Sequence, residues 1–182
     1  MKKQTIAIHT PYVRPDAYGA LAVPIYNNVS FEFKDAQEMA DAFCNRIKAP
    51  DYARIANPTV TQFEQRVKAL TDADHVTAFN SGMAAISTAL LAVVAQGKNI
   101  VTSRHLFGNT LAFISGTLLR LGIKPRLRDL TNLEAVEAAI DEQTACVFLE
   151  IVTNPQLEVA DLKAIAEIAH RKGVPVIADS TI

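Results

Sequence analysis

From His75 to the end of the chain, short apolar segments alternate with segments whose apolar residues recur every three or four positions. The short segments predict strands, and the periodic segments predict helices. The predicted strands are 75–79, 99–103, 123–128, 144–150 and 174–179, and the predicted helices are 82–95, 107–121, 132–140 and 160–172. Several strands are apolar on both faces, as strands buried between two layers of helices are. The pattern therefore predicts an α/β fold with a mostly parallel sheet and helices on both faces.

The chain before residue 75 has a less regular pattern. Prolines and a glycine interrupt any period within residues 1–33, which predicts an irregular arm. Several residues of the arm are apolar, so we expect it to pack against something else, such as another subunit. A helix is predicted to begin with a capping box at Asp35 and to stop before Pro50, and a second helix has Pro58 in its first turn.

The composition limits the class of protein. The 182 residues are 49% hydrophobic with a formal net charge of −1, which suits a domain with a core and gives nucleic acid no basic surface to bind. The longest apolar run, Ala89–Ala95, is too short to cross a membrane, and no signal sequence follows Met1. We expect a cytoplasmic protein in which Cys44 and Cys146 are small core residues. No spacing of cysteines and histidines predicts a metal site.

The segment from Val76 to Ile86 combines a short apolar strand, a turn and the beginning of a helix. The first N–H groups of a helix have no partner within it, and they attract anions such as phosphate. Ser81 can cap this helix, and Gly82 lets an anion approach the backbone. An ordinary strand-to-helix turn has the same spacing, so the segment alone leaves both interpretations open.

Asp179 is the last residue of one predicted strand, and Asn154 follows another. A carboxylate such as Asp179 at the end of a buried strand is usually paired or functional, because burying a lone charge is costly, but it could equally cap a helix. Asn154 precedes Pro155, and turn chemistry alone would explain it. Sites in parallel sheets lie at the carboxyl ends of strands, and the polar residues predicted there are Ser81, Ser103, Glu150 and Asp179.

Tyr52, Arg54 and Phe107 are further candidates. Tyr52 and Arg54 could hold a phosphate, since a guanidinium suits bidentate contacts with oxyanions, although most Tyr-x-Arg triplets have no such role. Phe107 begins a predicted helix after a strand. It is either a stacking platform or a core aromatic residue, and the local pattern leaves both open.

Five motifs resemble, in the same order, those of the trans-sulfuration (Cys/Met metabolism) family of pyridoxal-phosphate enzymes. They are Tyr52–Thr59 for Y-x-R-x-x-N-P-T, Asn80–Ile86 for S-G-M-A-A-I, Leu106–Thr110 for Y-G-G-T, Glu150–Pro155 for E-x-x-x-N-P and Ala178–Thr181 for D-N-T. The resemblance covers nearly the whole chain. It is specific for the family and much less so for its individual members.

The resemblance implies a large cofactor-binding domain of the aspartate-aminotransferase type, fold type I, and homotetramers built from dimers that share active sites. Residues 1–57 would be an N-terminal arm and helix that contact a neighbouring subunit. Residues 58–182 would be the first part of the α/β domain that binds pyridoxal 5′-phosphate.

The resemblance also implies which residues bind the cofactor phosphate. The N–H groups of Gly82 and Met83, in the helix that begins after Ser81, would bind it from one subunit. Tyr52 and Arg54 would reach the phosphate that is bound in the neighbouring subunit.

The resemblance assigns three residues to the cofactor ring. Asp179 would pair with the protonated pyridine nitrogen, Asn154 would hydrogen-bond the ring hydroxyl, and Phe107 would stack on the ring. The family usually has Tyr where Phe107 stands. Phe keeps the stacking but lacks the hydroxyl, and some sulfhydrylase-like members carry the same Phe-Gly-Asn-Thr sequence.

The Schiff-base lysine of the family is absent from this chain. The resemblance places it roughly one βα unit beyond Asp179, so we expect residues 1–182 to be the N-terminal part of a longer enzyme and to be inactive alone. None of the nine lysines in the sequence follows the carboxyl end of a predicted strand.

The function that the resemblance implies is a PLP-dependent γ-replacement in methionine biosynthesis. O-Acetylhomoserine and sulfide would give homocysteine and acetate, as in an O-acetylhomoserine sulfhydrylase, a transferase. Alternatives within the family are a cystathionine γ-synthase and a methionine or cystathionine γ-lyase. A non-catalytic binding or assembly module is an alternative of another class, and a nicotinamide-binding Rossmann domain is a third, although the turn at Asn80 lacks G-x-G-x-x-G.

Overall fold

The computed structural model describes residues 2–10 and 18–182, which divide into two compact units between Ala78 and Phe79. The first unit contains the helices α1 (Lys3–His9), α2 (Ala36–Phe43) and α3 (Pro58–Thr71). The second contains the helices α4 (Gly82–Val93), α5 (Gly108–Ala112), α6 (Leu133–Ala139) and α7 (Leu162–Arg171), and the strands β1 (Asn99–Ser103), β2 (Lys124–Arg128), β3 (Thr144–Glu150) and β4 (Val176–Asp179). The division predicted from the sequence is different, with residues 1–57 contacting a neighbouring subunit and residues 58–182 beginning the cofactor-binding domain. That division stays a prediction.

Helix α1 contradicts part of the predicted irregular arm over residues 1–33. No proline precedes Pro11 in the sequence, so the backbone before it is free to form this helix. The helix packs against α3 within the first unit. The stretch 11–17 of the predicted arm lies outside the described residues.

Helices α2 and α3 both begin with side-chain caps, and the cap at Asp35 is the one that the sequence predicts. Asp35 Oδ1 accepts a hydrogen bond from the Glu38 N–H at 2.8 Å, and Asn57 Oδ1 accepts one from the Thr59 N–H at 2.9 Å. Each cap satisfies one of the N–H groups that a helix leaves without a partner. The carboxylate of Glu38 accepts from the N–H of Lys34 and not from that of the cap residue, so the capping box is displaced by one residue.

The two cysteines lie in different environments. Cys44 follows the end of α2 as an exposed residue, which contradicts its predicted place in the core. The helix ends there because Asn45 adopts a left-handed conformation with φ of 54°. Cys146 is fully buried in β3, as predicted, and burial raises the pKa of its thiol to about 12.

Four parallel strands form one sheet in the order β2-β1-β3-β4. Successive residues of β3 alternate between two cores. Val147 and Leu149 pack with residues of α6 and α7 on one face, and Cys146 and Phe148 pack with residues of α4 and of the segment after α5 on the other. A strand with helices on both sides is apolar at nearly every position, which is the pattern of β3. The predicted α/β fold with a parallel sheet is confirmed.

The predicted strand at 75–79 is wrong, because this segment pairs with no strand among the described residues. An apolar pattern alone does not make a strand, because the backbone N–H and C=O groups of a strand must form hydrogen bonds with a neighbouring strand. Here the N–H of Ala78 donates instead to the carboxylate Oε1 of Glu64, at 2.8 Å.

The predicted helix at 107–121 begins at Gly108 and is not uniform. A π-helical segment, Phe113–Leu118, follows α5 directly. Its residues Ile114 and Leu118 are fully buried in the core against the sheet. The π-helical segment lies after α5, whereas the residues of this region that line the candidate site lie at the beginning of α5.

The carboxyl ends of β3 and β4 lie side by side. Glu150 is the register partner of Asp179 in this parallel pair, and Phe148 is the partner of Ile177 two residues earlier. Side chains two residues apart on a strand point to the same face, so Glu150 and Asp179 share the face of Phe148. Two carboxylates therefore occupy neighbouring positions at one edge of the sheet.

Candidate active site

A cavity of about 270 Å³ lies at this edge of the sheet within the second unit. Its walls come from the beginning of α4, the beginning of α5, the loop after β3 and the end of β4. Five of the site residues predicted from the sequence line it, and they are Gly82, Met83, Phe107, Asn154 and Asp179. The carboxyl end of a parallel sheet is where such a site is expected.

The beginning of α4 presents unpaired backbone N–H groups to the cavity. Ser81 Oγ accepts from the Ala84 N–H at 3.2 Å, and the Ser81 carbonyl accepts from the Ala85 N–H at 3.1 Å. In the part of the chain that the structure describes, the N–H groups of Gly82 and Met83 have no acceptor. Both residues line the cavity, and a Cβ built on Gly82 would meet no heavy atom within 4 Å, so the space beside the Gly82 Cα is open. This end of the helix is suited to bind an anion.

Asp179 lines the cavity at the end of β4 and forms a turn with Thr181. Its Oδ1 atom accepts the N–H and the hydroxyl of Thr181 at 2.9 and 2.6 Å. Both sequence interpretations of Asp179, as a functional carboxylate and as a helix cap, stay predictions. The turn fixes the carboxylate, which can hold a cationic N–H group of a ligand.

Phe107 and Asn154 lie in different loops at the cavity, and the side chain of Glu150 accepts a hydrogen bond from the backbone N–H of each. Phe107 is 50% exposed, so it is not the core aromatic residue of the second interpretation. Its N–H donates to Glu150 Oε1 at 2.7 Å, and the N–H of Asn154 donates to Glu150 Oε2 at 3.3 Å. Both residues are therefore held by Glu150 at the carboxyl end of β3.

Thr110 and Met83 connect α5 with α4 at the wall of the cavity. Thr110 is buried, and its hydroxyl donates to the sulfur of Met83 at 3.7 Å. Thr110 ends the motif Leu106–Thr110, but the sequence alone assigns it no role at the site. Its position is visible only once the two helices are packed.

Tyr52 and Arg54 belong to the first unit. The guanidinium carbon of Arg54 lies 5.0 Å from the centre of the Tyr52 ring, a cation–π contact. Tyr52 forms an isolated antiparallel bridge with Ser30, and the N–H of Ala53 donates to the Val29 carbonyl at 2.8 Å. The role of Tyr52 and Arg54 at a neighbouring subunit's phosphate stays a prediction.

The donor set of the cavity suits pyridoxal phosphate. Free N–H groups at a helix start match a phosphate, a carboxylate matches a protonated ring nitrogen, an amide matches a hydroxyl and an exposed aromatic ring matches a flat heterocycle. Across residues 2–10 and 18–182, no cluster of three or more His, Cys, Asp or Glu could hold a metal ion. None of the helices described is long and apolar enough to cross a membrane.

Comparison with known proteins gives a family and several relatives. The family model for Cys/Met metabolism PLP-dependent enzymes matches residues 4–182. O-Acetyl-L-homoserine sulfhydrylase of Corynebacterium glutamicum is 37% identical over 180 residues, which cover 98% of this chain and 41% of the relative. L-Methionine gamma-lyase of Fusobacterium nucleatum is 37% identical over 185 residues, which cover 100% of this chain and 47% of the relative. The chain thus spans less than half the length of these curated relatives.

Two solved structures share the architecture. A protein designated O-acetylhomoserine (thiol)-lyase, from Campylobacter jejuni, superposes with a TM-score of 0.92 at 32% identity, covering 100% of this chain and 45% of its own, and it contains N′-pyridoxyl-lysine-5′-monophosphate. O-Acetylhomoserine sulfhydrylase of Wolinella succinogenes has a TM-score of 0.67 at 50% identity, covering 69% of this chain and 35% of its own. These similarities confirm the predicted fold type I architecture.

Proposed function

This chain belongs to the family of Cys/Met metabolism PLP-dependent enzymes, and from that membership we propose that it is part of an O-acetylhomoserine sulfhydrylase. The proposed reaction exchanges acetate for sulfide at the γ-carbon, so that O-acetylhomoserine and hydrosulfide give homocysteine and acetate. The 50% identity with the Wolinella succinogenes sulfhydrylase is the observation that carries this choice of reaction. The cavity and its donor set support the cofactor.

The phosphate of the cofactor would be bound at the beginning of α4. Gly82 and Met83 supply two N–H groups without an acceptor in the described chain, and Ser81 stabilises the helix end by capping it. An anion here interacts favourably with the positive end of the helix. We propose that Tyr52 and Arg54 add contacts to the phosphate from a neighbouring subunit.

The ring of the cofactor would be bound by Phe107, Asn154 and Asp179. When bound, pyridoxal phosphate acts as an electron sink that stabilises negative charge on a substrate carbon. The Asp179 carboxylate keeps the ring nitrogen protonated, the Asn154 amide orients the ring through its hydroxyl, and Phe107 covers one face. A phenylalanine has no hydroxyl, so Phe107 cannot hold or transfer a proton.

The amine that binds the cofactor covalently is a separate requirement. In the described chain no lysine lines the cavity. Lys98 and Lys172 donate to the carbonyls of Glu142 and Glu137, and Lys124 is the first residue of β2, so these three lie at the amino ends of strands. We propose that the catalytic lysine lies outside residues 1–182 and that these residues alone have no turnover.

A γ-lyase is the second candidate function. The methionine gamma-lyase of Fusobacterium nucleatum has the same 37% identity as the sulfhydrylase of Corynebacterium glutamicum. The two reactions share the early proton transfers and diverge once the γ-substituent has been lost. A nucleophile is then added in the replacement, whereas a 2-oxo acid and ammonia are released in the elimination.

One assay separates the candidates. The purified enzyme containing this chain is incubated with pyridoxal phosphate in four separate reactions. Three contain O-acetylhomoserine, either with sulfide, with cysteine or without a nucleophile, and the fourth contains methionine. We expect homocysteine with sulfide as the dominant product. Dominant release of 2-oxobutyrate from methionine would identify a γ-lyase, and dominant cystathionine from cysteine would identify a γ-synthase.

A further inference from the structure

We propose that Glu150 is a positioning residue that fixes Phe107 and Asn154 at the cofactor cavity, an inference that rests on the proposed binding of pyridoxal phosphate there. Glu150 is only 6% exposed. It lies between a helix start and a loop that both contribute to the cavity wall. Its role is to hold two groups that touch the cofactor, and not to react.

The carboxylate bonds one backbone N–H on each side. Oε1 accepts the N–H of Phe107 at 2.7 Å, and Oε2 accepts the N–H of Asn154 at 3.3 Å. Hydrogen bonds to a charged acceptor are stronger than those between neutral groups. The two oxygens of one rigid group thus set the separation between the backbones of Phe107 and Asn154.

The position of the Phe107 ring depends on this contact. Phe107 precedes the first residue of α5, and its own side chain makes no capping hydrogen bond. The ring is half exposed and lines the cavity, so neighbouring side chains enclose it only in part. The carbonyl of Phe107 accepts the N–H of Leu111 at 3.0 Å as part of α5, and the bond from the Phe107 N–H to Glu150 ties this helix start to the carboxyl end of β3.

A purely structural role would not require a charge at this place. Burying a carboxylate is costly unless it is paired, and no Lys or Arg forms an ion pair with Glu150 within the described residues. Its register neighbour Asp179 is also acidic. Two N–H groups need one acceptor oxygen each, and a carboxylate is the side-chain group of this size that has two. This requirement explains why residue 150 is a glutamate.

Glu150→Gln tests the proposal with little change of shape. The amide has one acceptor oxygen, so it can keep the bond to Phe107 or to Asn154, while its NH₂ group faces the other N–H. Glu167→Gln is the matched control, because Glu167 is an exposed residue of α7. Both variants are made in the full enzyme that contains this chain.

The measurements are the affinity for pyridoxal phosphate, the visible circular dichroism per bound cofactor and the melting temperature without cofactor. For Glu150→Gln we expect about tenfold or more weaker cofactor binding and a smaller dichroic signal per bound cofactor. The smaller signal follows because the ring contacts of Phe107 and Asn154 are no longer fixed. Glu167→Gln should match the unmodified enzyme in all three measurements.

The possible results separate this inference from the proposed function. If the unmodified enzyme binds no pyridoxal phosphate, the proposed function is wrong and this inference falls with it. If the unmodified enzyme binds it, and Glu150→Gln lowers only the melting temperature or changes nothing, Glu150 is not a positioning residue.

Amide hydrogen exchange in the unmodified enzyme keeps the proposal testable if Glu150→Gln fails to fold. The amides of Phe107 and Asn154 should both exchange slowly, since one carboxylate accepts both. Exchange of either amide at the rate of an unprotected loop would overturn the inference.

Discussion

Asp179 accepts two hydrogen bonds from Thr181 through the same oxygen, Oδ1, one from the backbone N–H at 2.9 Å and one from the hydroxyl at 2.6 Å. In the described chain, Oδ2 accepts no hydrogen bond. Asp179 also lines the cavity. One oxygen thus anchors the side chain at the end of β4, and the other remains available to a ligand.

Asp179→Asn should preserve the fold and reduce turnover. The Asn oxygen can accept the same two bonds from Thr181, but an amide cannot keep a pyridine nitrogen protonated as a carboxylate does. Losing one hydrogen bond between charged groups predicts a turnover about 100-fold lower, with a melting temperature close to that of the unmodified enzyme. Steady-state kinetics and thermal denaturation of the full enzyme measure both.

The control for this prediction is Asp161→Asn. Asp161 caps α7 by accepting the N–H of Ala164 at 3.0 Å, and Asn caps helices about as well as Asp. The control should keep nearly full turnover. Near-normal turnover of Asp179→Asn as well would show that Asp179 serves only the turn with Thr181.

Mixed oligomers test whether Arg54 serves a neighbouring subunit. Subunits with Arg54→Ala are unfolded and refolded together with subunits that carry Asp179→Asn. In each mixed dimer, one site would combine an intact Asp179 from one subunit with an intact Arg54 from the other. Random mixing makes half of the dimers mixed, so about one quarter of the unmodified activity should return. If no activity returns although tagged subunits show that mixed dimers form, the shared site is wrong.

The ion pair of Arg126 and Asp141 should make stability depend on acid pH. Their Nη2 and Oδ2 atoms are 2.6 Å apart, and the hydrogen bond from Arg126, followed by that from Asn99, lowers the pKa of Asp141 to about 2. A carboxylate whose pKa is lower in the folded state stabilises it above the ordinary pKa of 3.8, and this stabilisation is lost as the pH falls from 3.8 towards 2. Both side chains are partly exposed, so the effect is modest.

Melting temperatures between pH 2 and pH 5 measure this dependence. Arg126→Met should lose part of the acid-labile stability, whereas Arg128→Met, on the same strand, should follow the unmodified protein. Identical curves for Arg126→Met and the unmodified protein would show that the ion pair does not contribute to folding.

The sheet was predictable where its strands are buried on both faces. The short apolar run of β3 lies between two predicted helices and predicts a strand buried on both faces, and in the structure β3 is a strand with neighbours on both sides. The segment 75–79 has a similar apolar pattern and is not a strand, because pattern does not say whether a pairing partner is present. Pairing depends on residues distant in the sequence.

The candidate site was predictable where its chemistry is local. Ser81 and Gly82 mark the beginning of α4 within three residues, and Asp179 ends its strand. The bond between Glu150 and Phe107 joins residues 43 positions apart. Neither residue has a neighbour in the sequence that indicates this contact, so only the packed sheet and loops show it.

The structure of the full enzyme with bound pyridoxal phosphate is the most direct test of the proposed site. We predict phosphate oxygens within hydrogen-bonding distance of the N–H groups of Gly82 and Met83, with the ring on Phe107 and its nitrogen facing Asp179. A phosphate bound at any other place, or a ring that contacts neither Phe107 nor Asp179, would contradict the proposed site.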